Sequence, residues 1–321
     1  MPKTILADTR QFPRFAGAPT FCRYPLLELV PAESLPVDWA IYGVPFDGGV
    51  TFRPGARFGP RAIRDASQYV KRYSMAHDVD VCETLSLCDA GDAPVQPYSC
   101  KGTSDAVCAF ALKLGDPGHT KLMAVGGDHS IALANIRATY ERQGRPEGGL
   151  ALLHFDSHLD TVDSVWGERY GHASPFIRAI EEGLINPNRM VSVGIKGPLN
   201  TKSDLDYAVA HGVKVITYDD YIHHGGEETL RDFVRRQERH PAYVSFDIDV
   251  VDPAFAPGTG TPSVGGFTSG EILDALRQLK GANVVGADVV EVLPDRDPAG
   301  ITALLGAHVM FEILCLDAMT R

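Results

Sequence analysis

Cysteine is scarce in the 321-residue chain. Its six cysteines stand at 22, 82, 88, 100, 108 and 315. None forms a Cys-x-x-Cys pair or sits beside a His at zinc-finger spacing. A thiolate-held structural zinc and a dithiol redox motif are thereby excluded, and scattered thiols in a reducing cytoplasm are expected. Positive charge is also short: 30 Lys and Arg face 41 Asp and Glu, a formal charge of −11. Nucleic-acid backbones demand concentrated positive charge, so no nucleic-acid partner is expected. No apolar run approaches about 20 residues, so neither a membrane span nor a membrane partner is expected. The start, Met1-Pro2-Lys3-Thr4, leads into no long apolar stretch of the secretory kind. Internal repeats, low-complexity tracts and long linkers are missing. What remains, 44% hydrophobic and 22% charged residues, is the composition of a globular chain.

Residues 1–37 hold several prolines and little periodicity, which reads as an irregular N-terminal arm suited to oligomer contacts. From residue 38 to 321, short apolar runs alternate with amphipathic stretches. Strands are expected at 39–44, 121–125, 150–155, 191–195, 213–217, 242–247 and 284–290. Each is nearly continuous in hydrophobicity, as parallel strands buried on both faces are. Helices are expected at 60–70, 104–114, 130–142, 175–182, 203–211, 228–239, 271–280 and 301–319. This alternation predicts a single three-layer α/β/α domain with a mainly parallel sheet. Ligands of such folds bind beyond the carboxyl ends of the strands.

Four of those ends carry polar residues. They are Gly126-Gly127-Asp128-His129-Ser130, Asp156-Ser157-His158-Leu159-Asp160, Asp247-Ile248-Asp249 and Glu291. In extended chain, side chains two apart share a face. Asp156, His158 and Asp160 therefore point one way, as do Asp247 and Asp249. Four carboxylates at one sheet edge without cations would cost several kcal/mol in repulsion and desolvation. With His129 and His158 beside them they have reason to bind divalent ions. Oxygen and imidazole ligands without thiolate suit Mn²⁺, with Ni²⁺, Co²⁺, Zn²⁺ and Fe²⁺ as alternatives.

The three stretches Gly-Gly-Asp-His-Ser (126–130), His-Phe-Asp-Ser-His-Leu-Asp (154–160) and Ser-Phe-Asp-Ile-Asp-Val-Val-Asp-Pro (245–253) resemble the signatures of the ureohydrolases. That family comprises arginase, agmatinase and their guanidino-acid relatives. Gly43–Asp47, Arg53-Pro54-Gly55 and Pro257–Pro262 support the resemblance, which spans roughly residues 38–319 and is closer to the agmatinase branch. It implies an arginase-like fold and two metals per chain, Mn²⁺ first and Ni²⁺ as the alternative. One metal would take His129, Asp156, Asp160 and Asp247. The other would take His158, Asp156, Asp247 and Asp249. Asp128, Asp163 and Asp252 fall outside that set. The resemblance implies that His172 shuttles protons or orients substrate and that Glu291 pairs with the guanidinium, so these two and Asp160 are the catalytic candidates. The implied reaction is hydrolysis of a guanidino C–N bond to urea and an amine. It also implies a homo-oligomer, trimer or hexamer, with a mixed oligomer containing a paralogue as an alternative.

Departures from the family's pattern fall near the substrate. Ser157 stands where Ala is commoner, and Phe52 stands where several relatives carry a polar residue. The tail is expected to be read by Thr51-Phe52-Arg53 and the loop at 161–170, with Phe52, Asp163, Trp166 and Arg169 as its candidate contacts; His172 and Glu291 complete the substrate-binding candidates. An inward acid would suit agmatine's amine and an inward cation a guanidino acid such as guanidinobutyrate or guanidinopropionate. Inward rings would suit guanidine, an alkylguanidine or a biguanide. Two other classes stand beside this reading: a one-metal deacetylase on a related fold, and a silent subunit of a mixed oligomer. All six ligand candidates are present, which argues against both.

Overall fold

The apolar runs close into one sheet in the computed structural model, which describes residues 3–237 and 239–321. Among those residues the strands are β1 (Trp39–Val44), β2 (Tyr73–Ser74), β3 (Val79–Asp80), β4 (Leu87–Asp92), β5 (Lys121–Gly126), β6 (Leu150–Phe155), β7 (Ile185–Ile195), β8 (Lys214–Thr217), β9 (Pro241–Asp247) and β10 (Asn283–Val290). Strands β2 and β3 form a small antiparallel hairpin. The other eight form one sheet in the order β4-β1-β5-β10-β9-β6-β7-β8, every neighbouring pair parallel.

The helices are α1 (Gly59–Ala66), α2 (Val81–Thr84), α3 (Cys100–Ala111), α4 (Ile131–Arg142), α5 (Pro175–Glu181), α6 (Asp206–Ala210), α7 (Tyr218–His223), α8 (Gly226–Arg236), α9 (Ser269–Arg277) and α10 (Ile301–Ala318). Alternate strand residues face opposite layers. Ile41, Met123, Leu153, Val244 and Val289 pack with residues of α1, α8, α9 and α10. Ala40, Tyr42, Leu122 and Ala124 pack with α3 and α4, and Leu152 and Tyr243 with α4, α5 and α6. Burying each large apolar side chain contributes about 1.5–3 kcal/mol. The two faces together make the expected α/β/α layering.

Three departures from the sequence expectation have physical causes. Strand β4 was not expected, because Asp89, Gly91 and Asp92 interrupt its apolar pattern. It forms at the sheet edge, where Arg64 donates to Asp89 (2.8 and 3.0 Å), Asp92 (2.6 Å) and the Gly91 carbonyl (2.8 Å). The helix expected at 228–239 ends at Arg236, and Glu238 lies outside the described residues. Helix α10 is long and apolar enough by length and composition to cross a bilayer, but 83% of it is buried within the fold, where it serves as a core helix. The arm before residue 37 is tied down: Thr4 donates its amide to the Cys82 carbonyl at 2.9 Å, and Phe21, Cys22 and Tyr24 enter the core. All six cysteines are free thiols, and burial pushes Cys22, Cys82, Cys88 and Cys100 up to about 12.

Candidate metal centre

The sheet order decides the site. Strands β5, β10, β9 and β6 are consecutive neighbours, so their carboxyl ends deliver residues 128–129, 291, 247–249 and 156–160 to one place. Gly127 makes the first turn feasible: its φ is +44°, and a Cβ there would lie 2.5 Å from the carbonyl oxygens of Val44 and Phe46. The chain then turns back over the sheet end and presents His129. Asp247 caps the turn that follows β9, its Oδ1 accepting the Asp249 amide at 2.8 Å. Asp160 and Glu291 adopt left-handed backbone conformations, φ 50° and 65°. Such non-glycine conformations cost of order 1–3 kcal/mol and gather at functional sites.

His129 is fully buried, and its Nδ1 lies 3.1 Å from Asp156 Oδ2, 2.9 Å from Asp160 Oδ2 and 3.3 Å from Asp247 Oδ2. None of these contacts has hydrogen-bond geometry; Nδ1 has no hydrogen-bond partner. The other nitrogen explains why. Ser245 Oγ donates to Asp288 Oδ1 at 2.7 Å, so it can only accept from His129 Nε2, 2.9 Å away. A proton therefore sits on Nε2, and in the neutral ring Nδ1 would present its lone pair to three carboxylate oxygens. Positive charge between them, a metal ion or a second ring proton, makes that arrangement favourable. The donor set therefore fits a metal. A second group lies beside it: His158 Nδ1 is 3.3 Å from Asp156 Oδ1 and 3.1 Å from Asp249 Oδ2. Ligand atoms of Asp156, His158 and Asp249 all lie within 4.8 Å of one another.

Protonation follows the same logic. Burial, then the charges of Asp249 and Asp156, push the Asp247 carboxyl well above its usual range. Burial opposes charge on His129, but Asp156, Asp160 and Asp247 outweigh it and raise the ring well above the ordinary histidine range. Burial likewise works against Asp156, and His129, His154 and His158 hold it well below its usual range. The carboxylates thus recruit whatever positive charge is near.

His172 and Glu291 form a linked pair at the edge of this cluster. His172 Nδ1 lies 2.9 Å from Glu291 Oε1, which also accepts the His129 amide at 2.9 Å. Glu291 Oε2 is buried and unpartnered. Burial works against charge on His172, but the bond to Glu291 and the charges of Glu291, Asp128 and Asp160 raise it to about 9. Geometry points the other way: the Thr51 amide donates to Nε2 at 3.0 Å, and only a neutral ring has a lone pair there. A backbone N–H cannot rotate away, so the neutral ring with its proton on Nδ1 fits this structure.

A cleft of about 540 Å³ opens onto these groups. His158, Asp160, His172 and Asp247 form its floor; Val162, Val165 and Trp166 form one wall, and Pro198, Leu199, Asn200 and Asp204 another. Of the expected substrate-binding residues, Trp166 and His172 line it. Phe52 does not: it is 63% exposed, with the Arg53 guanidinium over its ring. Asp163 and Arg169 do not either. They pair at 3.0 Å and join Arg178 and Glu181 on the outer side of the loop. Glu291 lies behind His172 rather than in the wall. The 198–204 wall was missed because its Pro, Leu and Asn carry no motif.

The protein-family model described as the arginase family matches residues 37–316. The chain belongs to the arginase family. It is 43% identical to guanidinopropionase of Pseudomonas aeruginosa, over 97% of this chain and 95% of that one. It is 42% identical to agmatinase of Neisseria meningitidis, over 94% and 93%. Among solved structures it superposes on proclavaminate amidinohydrolase of Streptomyces clavuligerus with a TM-score of 0.87 at 39% identity, over 96% and 100%. The protein is accordingly an arginase-family hydrolase acting on guanidino C–N bonds.

This arginase-family site contains supporting residues that the motif reading passed over. His154 shares the face of Asp156 and lies 2.9 Å from its Oδ2, with Ser192 Oγ 3.0 Å from the other ring nitrogen. The alternation 154, 156, 158 was its signal. Asp288 accepts from Ser245 and from Tyr243 (2.7 Å), which accepts from Asn135 (2.7 Å). This fully buried chain fixes the His129 tautomer. Asp288→Asn should weaken metal binding by about 10- to 100-fold, the usual effect of losing such an outer partner. Titration of the metal-free protein checks it; unchanged affinity would show that Ser245 holds the tautomer unaided.

Proposed function

We propose that this hydrolase holds two divalent cations and acts on small guanidino compounds whose tails are neutral or cationic rather than carboxylate. His129, Asp156, Asp160 and Asp247 would hold one cation, and His158, Asp156, Asp247 and Asp249 the other. The observation supporting two is His129 Nδ1 amid three carboxylate oxygens, with the half-exposed His158 Nδ1 facing Asp156 and Asp249 alongside. Mn²⁺ suits the donors best, and Ni²⁺ is the alternative. When bound, such a pair supplies Lewis acidity and makes water acidic enough to be a nucleophile at neutral pH.

The chain's own groups do the rest. Glu291 is buried behind His172, so the substrate guanidinium would have to pass the His172 ring to reach its unpartnered Oε2 and donate to it in a charge-assisted bond. His172, neutral and held between Thr51 and Glu291, takes and returns the proton that the leaving amine needs. Glu291→Gln keeps an oxygen for the His129 amide and the His172 ring but loses the charge. Since such bonds contribute about 1.5–3 kcal/mol, kcat/KM should fall roughly 10- to 100-fold with metal content unchanged. Loss of metal would instead make Glu291 a ligand.

The tail assignment rests on one observation: among the described residues lining the cleft there is no Lys or Arg. A carboxylate tail entering there would be desolvated without a partner. Val162, Trp166, Pro198 and Leu199 suit a methylene chain, and Asp204 offers an ammonium its counter-charge. Identity to relatives does not choose, at 43% to a guanidinopropionase and 42% to an agmatinase. We expect kcat/KM for agmatine and butylguanidine to exceed that for 4-guanidinobutyrate by at least about 10-fold, measured as urea release with Mn²⁺ and with Ni²⁺. Preference for the acid would overturn the assignment. We further propose a cytoplasmic location, in keeping with six free thiols, and a homo-oligomer, trimer or hexamer as the family resemblance implies, for which exposed apolar side chains such as Phe15 and Met75 offer contact surface.

A further inference from the structure

Behind the second His–Asp group lies a buried contact that no motif anticipates. Ser157, the residue that departs from the family's common alanine, is fully buried. Its Oγ donates to the Asp249 carbonyl at 2.7 Å, and its amide donates to Asp249 Oδ1 at 3.1 Å. The Lys196 ammonium donates to the same Ser157 hydroxyl and, at 2.7 Å, to the same Asp249 carbonyl. The Lys196 amide donates to the Ser157 carbonyl at 3.1 Å. Three residues from three strand ends, β6, β7 and β9, are thus tied by one ammonium and one hydroxyl.

The contact has a consequence on each side. Ser157 lies between Asp156 and His158, so tying it fixes the spacing of two candidate ligands. Asp249 is held at its main chain by Lys196 and at its carboxylate by Ser157 and Thr261 (3.2 Å). Lys196 also begins the stretch whose Pro198, Leu199 and Asn200 wall the substrate cleft. A second hollow of about 510 Å³, lined by Lys196, Leu199 and Val264, lies on the other face of this wall.

Resting on the two-cation reading, we infer that Lys196 is a positioning residue for the second cation, acting through the Asp249 main chain. Lys196→Met removes the ammonium while keeping most of the apolar stem. Its expected effect is selective: the second cation binds about 10- to 100-fold more weakly and the first is unaffected. Lys196→Gln, which lacks both the charge and the reach of the ammonium, should act in the same direction and carries the test if Lys196→Met does not fold. The metal-free proteins are titrated with Mn²⁺ and followed by calorimetry and electron paramagnetic resonance, with thermal melting as the fold control. The expected result is two ions at wild-type saturation but one tight ion in the variants, the paired-manganese spectrum giving way to that of an isolated ion, at unchanged metal-free melting temperature. Two tight ions in both variants would overturn the inference. Equal weakening of both sites would also overturn it, since that reports a loosened fold. A wild type that binds no pair would instead overturn the two-cation reading on which it stands.

Discussion

Asp247→Ala is expected to leave the chain without bound metal pairs and without measurable urea release. Its Oδ2 faces His129 Nδ1 at 3.3 Å, and its Oδ1 caps the turn that carries Asp249 by accepting that residue's amide at 2.8 Å. One substitution therefore removes a carboxylate proposed to serve both cations and releases a second ligand. Losing only an outer partner weakens metal binding by about 10- to 100-fold; losing a shared ligand must exceed that. The fold should survive, because burial, then the charges of Asp249 and Asp156, push this carboxyl well above its usual range, so the metal-free protein loses an acid whose burial is unfavourable. Metal analysis by mass spectrometry, with a urea assay, checks the result. Two ions per chain at near wild-type rate would refute the assignment.

His172→Asn should give the opposite combination: metals retained, turnover lost. The ring touches Thr51 and Glu291 and none of the six candidate ligands. General acid–base groups contribute about 10²–10⁴-fold, so kcat should fall within that range while KM changes little. The substitution leaves Glu291 Oε1 its bond from the His129 amide, and Oε2 remains free for substrate. Unchanged kcat would move proton transfer to another group, and loss of metal would show that His172 supports the cluster rather than the substrate.

Much of this was legible in the chain because it is local. Continuous apolar runs report strands buried on both faces, and seven of the eight strands of the large sheet read that way. The two-residue spacing of Asp156, His158 and Asp160, and of Asp247 and Asp249, reports a shared direction, and their places beyond strand ends report where ligands bind. Residue type then narrows the chemistry, since clustered carboxylates and imidazoles without thiolate call for hard or borderline cations.

What only the tertiary structure decided is adjacency. No local pattern says that β10 and β9 lie between β5 and β6, because strand order depends on which faces the crossover helices cover. Strand β4 exists through Arg64, a residue on a helix more than twenty positions earlier. Asp163 and Arg169 had been expected to face substrate; they satisfy each other and Arg178 and Glu181, since exposed opposite charges on one loop pair at little desolvation cost. The Asp288 chain and the Lys196–Ser157 contact join segments tens of residues apart, and the contiguous 198–204 stretch becomes a cleft wall only opposite the 162–166 loop. Each depends on the close approach of strand ends, which only packing of the whole sheet can bring about.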